Sequence, residues 1–239
     1  DITTGGLNYF SALTVDATGT KTAQSDLDIN GNFTLTAGTF APGSNGVEVA
    51  GNWSNSGTFT SGSGTVTFNG AGSQSLTPGS SSFYNLTTAT SSTNVTLQAD
   101  VTITNDLTIG TSTTIDVGSN RAITIGGNFS NSGTFTDQAG TVTFNGNSAQ
   151  TLTSNSSEFY NITTSGTGTV TLGDALTIAN DLTIGSGTTF DVSGIDYAIG
   201  ISGNFANSGT FTDRSGTVTF NGTGTLTSGG SELYNVTTN

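Results

Sequence analysis

The 239-residue chain sets 16 acidic side chains against three basic ones, a net charge of −13, and has no Cys, Met or His. That inventory excludes a disulfide framework and a thiolate metal site, and its field repels nucleic acid and anionic lipid. No stretch approaches the roughly 18 consecutive apolar residues of a membrane helix, so neither nucleic-acid binding nor membrane insertion is expected.

From the N-terminus, Phe10-Ser-Ala-Leu13-Thr-Val15 opens a pattern that returns as Phe83-Tyr-Asn-Leu86-Thr-Thr88 and as Leu233-Tyr-Asn-Val236-Thr-Thr238. Next, Gly-Asn-Trp-Ser-Asn-Ser-Gly-Thr-Phe-Thr at 51–60 recurs almost unchanged at 127–136 and 203–212. Gly-Thr-Val-Thr-Phe-Asn-Gly follows at 64–70, 140–146 and 216–222. A chain that repeats its sequence at fixed spacing repeats its structure. The single domain 1–239 thus holds three units, 10–82, 83–158 and 159–232, and the start of a fourth at 233–239.

Inside each unit apolar residues alternate with Thr, as in Thr141-Val142-Thr143-Phe144 and Ile123-Thr124-Ile125, the period of a strand. Gly, Asn and Ser clusters interrupt these runs as turns do, and no segment has a helical period with capping signals. Unit 2 divides into four similar parts, Phe83–Asp100, Val101–Asn120, Arg121–Gly140 and Thr141–Glu158, averaging about 19 residues. That is the size of one coil of a parallel β-solenoid. The sequence therefore predicts an all-β, helix-free parallel β-solenoid (β-helix) of about 12 coils, roughly 60 Å long. One antiparallel sandwich per unit is the structural alternative. In the solenoid, inward positions are expected to form core ladders: Trp53, Phe129 and Phe205; Phe59, Phe135 and Phe211; Phe68, Phe144 and Phe220.

Few residues carry chemistry. Asp26-Leu-Asp28-Ile-Asn30-Gly31-Asn32 opens like a calcium loop, but Ala37 stands where the bidentate Glu belongs. Leu27 and Ile29 read as inward strand residues with the acids pointing out between them. Asp106 and Asp181, Asp116 and Asp191, and Asp137 and Asp213 recur between units 2 and 3, where unit 1 has Asn32, Pro42 and Ser61. Paired carboxylates catalyse hydrolysis when they face each other across a groove. Here no His accompanies them and Lys21, Arg121 and Arg214 lie scattered, so they read as surface acids beside turns; the serines likewise lack a base. No catalytic residue, cofactor or metal is expected, and the chain is read as not an enzyme. The nine Asn-x-Ser/Thr sequons, including Asn32, Asn52, Asn85, Asn128, Asn161 and Asn235, follow from composition and matter only in a eukaryotic secretory protein.

With these repeats on the page, the chain resembles Gly/Thr/Asn-rich β-helix repeat regions of secreted bacterial surface proteins, such as filamentous-haemagglutinin-like or autotransporter-type adhesin shafts. The resemblance is one of repeat style over nearly the whole chain. It implies an extracellular or cell-surface location and a structural or adhesive role, and carries over no functional residue. The Asn-Pro-Asn secretion motif of haemagglutinins is missing; the only prolines are Pro42 and Pro78.

The leading expectation is a structural subunit of a surface filament or shaft of an adhesin. It would assemble head-to-tail through Phe10 and Leu13 at one end and Leu233 and Val236 at the other. The alternative is a module binding glycans, other cell-surface components or ice. Tyr84, Tyr160 and Tyr234 would offer outward rings to a glycan. Thr-Phe-Thr at 58–60, 134–136 and 210–212, with Thr39, Thr114 and Thr189, would offer a flat Thr array to ice. A polysaccharide-cleaving enzyme is the third reading.

Overall fold

The computed structural model describes residues 1–2, 9–89 and 92–239. The chain winds as an all-β parallel β-solenoid of about 11 turns, about 20 residues per turn, with no helix. Each turn lays down three short strands on three faces. In one central turn these are Thr114–Asp116 on face one, Ala122–Ile125 on face two and Phe129–Asn131 on face three. The next turn returns to each: Thr134–Thr136, Thr141–Phe144 and Gln150–Thr153 pair in parallel with the three strands below. Every strand pairing among the described residues is parallel, which rules out one antiparallel sandwich per unit.

Alternation in sequence becomes alternation in burial. Val142 and Phe144 are buried while Thr141 and Thr143 are partly exposed, and the same holds for Ile123 and Ile125. The core is one continuous column of Val, Ile, Leu and aromatic side chains running the length of the rod. Burying a large apolar side chain contributes about 1.5–3 kcal/mol. Thr on the outer face suits a half-buried pleated surface.

The repeat and the coil are not in register. The strand Val101–Ile103 and its repeat counterpart Leu176–Ile178 are eleven strands apart, and a turn holds three. One repeat is therefore three full turns and two further strands, short of the four coils expected. Each repeat begins two faces further round than the last. Trp53 accordingly lies on face one, Phe129 on face three and Phe205 on face two. Phe59, Phe135 and Phe211 are divided among the three faces in the same way, as are Phe68, Phe144 and Phe220.

Equivalent aromatics thus do not stack on one another, and the expected ladders are replaced by two other contacts. Down a face, each ring meets the neighbouring turn: Trp53 lies between Phe33 and Leu76, Phe129 between Leu107 and Leu152. Across the core, members of two expected ladders meet edge to face. Trp53 meets Phe59 at 4.9 Å and 78°, Phe129 meets Phe135 at 5.2 Å and 76°, and Phe205 meets Phe211 at 5.2 Å and 71°. That is the favoured aromatic geometry, and it recurs once per repeat.

Candidate functional site

The repeated decapeptide builds a corner. Asn131 is buried; its Nδ2 donates to the Ser154 carbonyl (2.8 Å) and to Ser157 Oγ (3.0 Å), one turn on, and its Oδ1 accepts the Gly133 N–H (2.9 Å). Asn55 and Asn207 make the same three bonds with Pro78, Ser81 and Gly57, and with Ser228, Ser231 and Gly209. Gly133 is required by close approach, because a Cβ there would lie 2.4 Å from the Gly110 carbonyl oxygen.

The first Asn of the decapeptide pins the turn above and the turn below. Asn128 donates from its backbone N–H (2.7 Å) and Nδ2 (3.0 Å) to Asp106 Oδ1, and its Oδ1 accepts the Thr151 N–H (2.8 Å). Asn204 repeats this with Asp181 and Thr225. The recurrent acids Asp106 and Asp181 are therefore structural acceptors, and the sequon at Asn128 has its amide in use on both sides. Asp116 and Asp191 likewise accept the backbone N–H of Gly118 and Ser193. Asp191 also receives Arg214 in the one ion pair among the described residues, at 2.6 Å, and that bond holds its carboxyl below the ordinary range.

Asp26 and Asp28 flank buried Leu27, with Ile29 also buried; Asp26 accepts the Gly46 N–H, and Asp28 sits beside Glu48 of the next turn. Among the described residues no group of three or more acidic side chains is arranged to hold a metal.

Asp137 and Asp213 behave differently. After Phe135 the chain makes a broad corner through Asp137–Gly140, whereas one turn on it passes from Phe159 to Asn161 through Tyr160 alone. The tight corner is recessed beside the broad one, leaving a notch of about 200 Å³ lined by Thr136, Asp137, Gln138, Glu158 and Tyr160. The equivalent notch in unit 3, about 700 Å³, is lined by Thr212, Asp213, Arg214, Glu232 and Tyr234. Asp137 is 3% exposed and Asp213 4%. In each, one carboxylate oxygen accepts the N–H of the notch tyrosine (Tyr160 at 2.7 Å, and Tyr234), and the other oxygen is buried without a partner.

An unpaired buried polar atom costs about 1–3 kcal/mol, more when charged. Burial pushes the Asp137 carboxyl up to about 6, against the pull of the Tyr160 and Asn161 N–H groups, and burial raises that of Asp213 as well. Sequence reading found the two aspartates but passed over Glu158 and Glu232. Their signal was positional: each directly precedes a core-facing residue, Phe159 or Leu233, where unit 1 has Ser82.

The repeated tyrosines occupy three different edges of the rod. Tyr84 turns the corner from face two to face three, Tyr160 from face one to face two and Tyr234 from face three to face one. The Thr pairs separate in the same way: Thr39 beside Thr58 on face two, Thr114 beside Thr134 on face one, Thr189 beside Thr210 on face three. A different rank does form on face two, where Thr102, Thr124, Thr143, Thr163 and Thr183 follow one another on five successive turns. At the ends, Phe10 bridges Ile29 and Leu13 pairs with Phe33; Leu233 packs against the core, and Val236, 49% exposed, pairs with Val218.

Comparison with protein-family models, curated proteins and solved structures returns no significant match.

Proposed function

We propose that this chain is a structural extracellular rod, serving as a subunit of a surface filament or as the shaft of an adhesin and joining its copies head-to-tail. The observation that supports this reading best is the phase of the repeat. Because each unit starts two faces on, equivalent side chains look outward in three directions, and the repeated motifs gather on no single face. Stiffness and length are what such a pattern serves. Three repeats amount to whole turns, so Leu233 and Val236 carry the same faces, three and one, as Phe10 and Leu13. A second copy stacked there continues all three sheets without rotation. Electron microscopy of the purified chain tests this. Protease-resistant rods that lengthen into filaments with an axial period of roughly 58 Å (the eleven turns from Phe10 to Leu233 and one more to the next copy's Phe10), and stay monomeric when residues 233–239 are removed, are expected. A sample that never lengthens removes the homopolymer, and a protease-labile particle removes the shaft.

A second reading, a module binding ice or glycans, draws on the five-turn Thr rank of face two. Thermal hysteresis of the purified protein, or its loss when Thr143 and Thr163 become Lys, decides it.

A further inference from the structure

We propose that the corner notches of the second and third repeats are weak divalent-cation sites, suited to Ca²⁺ and formed by Asp137 with Glu158 and by Asp213 with Glu232. Four observations carry this beyond the rod function.

The same cavity, with an aspartate, a glutamate, a threonine and a tyrosine in its lining, is built twice from separate stretches of chain on two different edges of the rod. In both copies the aspartate is more than nine-tenths buried and keeps one oxygen without a partner. A buried carboxylate is ordinarily paired or bound to a metal. No protein cation fills that role: Gln138 stands beside Asp137, and Arg214, beside Asp213, is turned onto Asp191.

The first repeat supplies an internal contrast. Its corresponding corner has Ser61 and Ser82 and keeps Tyr84, so both carboxylates are missing together while the aromatic stays. A pair that comes and goes as a unit points to one shared ligand. Two carboxylates in an open cavity favour Ca²⁺, which accepts irregular geometry and retains water, over Mg²⁺, which demands a near-ideal octahedron. With two carboxylates per site, affinity belongs to the ~0.1–1 mM class of extracellular calcium modules.

Tyr160 and Tyr234 line the notches and provide the readout, since a tyrosine sensitises the luminescence of bound Tb³⁺. Titration of the full chain with Tb³⁺ should saturate at two ions per chain and reverse with millimolar Ca²⁺. D137N and D213N should each leave one ion, and the double variant none; circular dichroism confirms that each variant is folded. Ca²⁺ should raise the melting temperature of the native chain more than an equal ionic strength of NaCl does, and lose that advantage in the double variant. Titration that does not saturate, a stoichiometry unchanged in the double variant, or three sites per chain would overturn the proposal. So would a glycan array that is positive without Ca²⁺ and negative for the double variant, which would assign the notch to a sugar.

Discussion

Phe33 stacks on Trp53 with ring centroids 4.1 Å apart, one turn below it on the same face, whereas Trp53's repeat equivalents Phe129 and Phe205 lie on the other two faces. Each of the three therefore packs against its own neighbours. Truncation of Trp53, Phe129 or Phe205 to Ala should cost about 3–5 kcal/mol. The costs should add to within ~0.5 kcal/mol, as expected of sites without shared partners. Urea unfolding of the single and double variants measures this; strong coupling between Trp53 and Phe129 would restore the repeat-to-repeat ladder.

Asn131 is held at both ends of its amide, so truncation and isosteric replacement fail differently. N131A removes three hydrogen bonds and leaves the Ser154 carbonyl and the Gly133 N–H unpaired, for a loss of about 1–3 kcal/mol for each of the two groups. N131D keeps the acceptor for Gly133 but places a buried carboxylate against the Ser154 carbonyl, and should be worse at pH 8 than N131A. Lowering the pH to protonate that carboxyl should recover most of the difference. Thermal melts of both variants at pH 4 and pH 8 distinguish them.

Much of this fold was legible because burial follows alternation so strictly: Val142 and Phe144, or Ile123 and Ile125, announce a strand and its inward face without any tertiary information. The repeats Asn55, Asn131 and Asn207 were equally plain as a pattern, although their role needed the turn above them. What the sequence concealed was phase. Four look-alike quarters per unit suggested four coils, but corners differ in length, from the single Tyr160 to the four residues Asp137–Gly140. Only pairing partners reveal that eleven strands, and not twelve, fill a repeat. The notches were hidden for the same reason, since Asp137 and Glu158 are 21 residues apart and line one cavity only because a broad corner and a tight one fall on adjacent turns.

Asp137 predicts an inverted pH dependence. Its folded carboxyl titrates near 6 against an ordinary 3.8, so the folded state binds the proton more tightly than the unfolded state does. Its contribution is most favourable below the ordinary value, is lost as pH rises from about 4 to 6, and stays lost above that. The loss is on the order of 2–3 kcal/mol. Asp191 acts in the opposite sense: Arg214 lowers its carboxyl, so that pair's contribution is present above the ordinary carboxylate value and disappears only in stronger acid. In metal-free buffer, D137N should raise the melting temperature at pH 8, leave it nearly unchanged at pH 4, and flatten the profile between. A variant that melts lower than the native chain at pH 8 would show that the carboxylate is stabilised there by something other than the Tyr160 and Asn161 N–H groups.

The phase itself can be measured in solution, and the absence of native Cys makes the labelling simple. Spin labels at Tyr84 and Tyr160, or at Tyr160 and Tyr234, are separated along the axis by three turns and two strands, ~18 Å at the usual strand spacing. They also sit on different edges, so the width of the rod adds to that distance. Both pairs should therefore give similar separations, well beyond ~18 Å, because the same screw operation relates each repeat to the next. If the repeats stacked in whole coils, the three labels would fall on one line: the adjacent pairs would lie near 19 Å and the outer pair at about twice that. Two equal distances near 19 Å would return the molecule to four coils per repeat and bring the tyrosines into a single row.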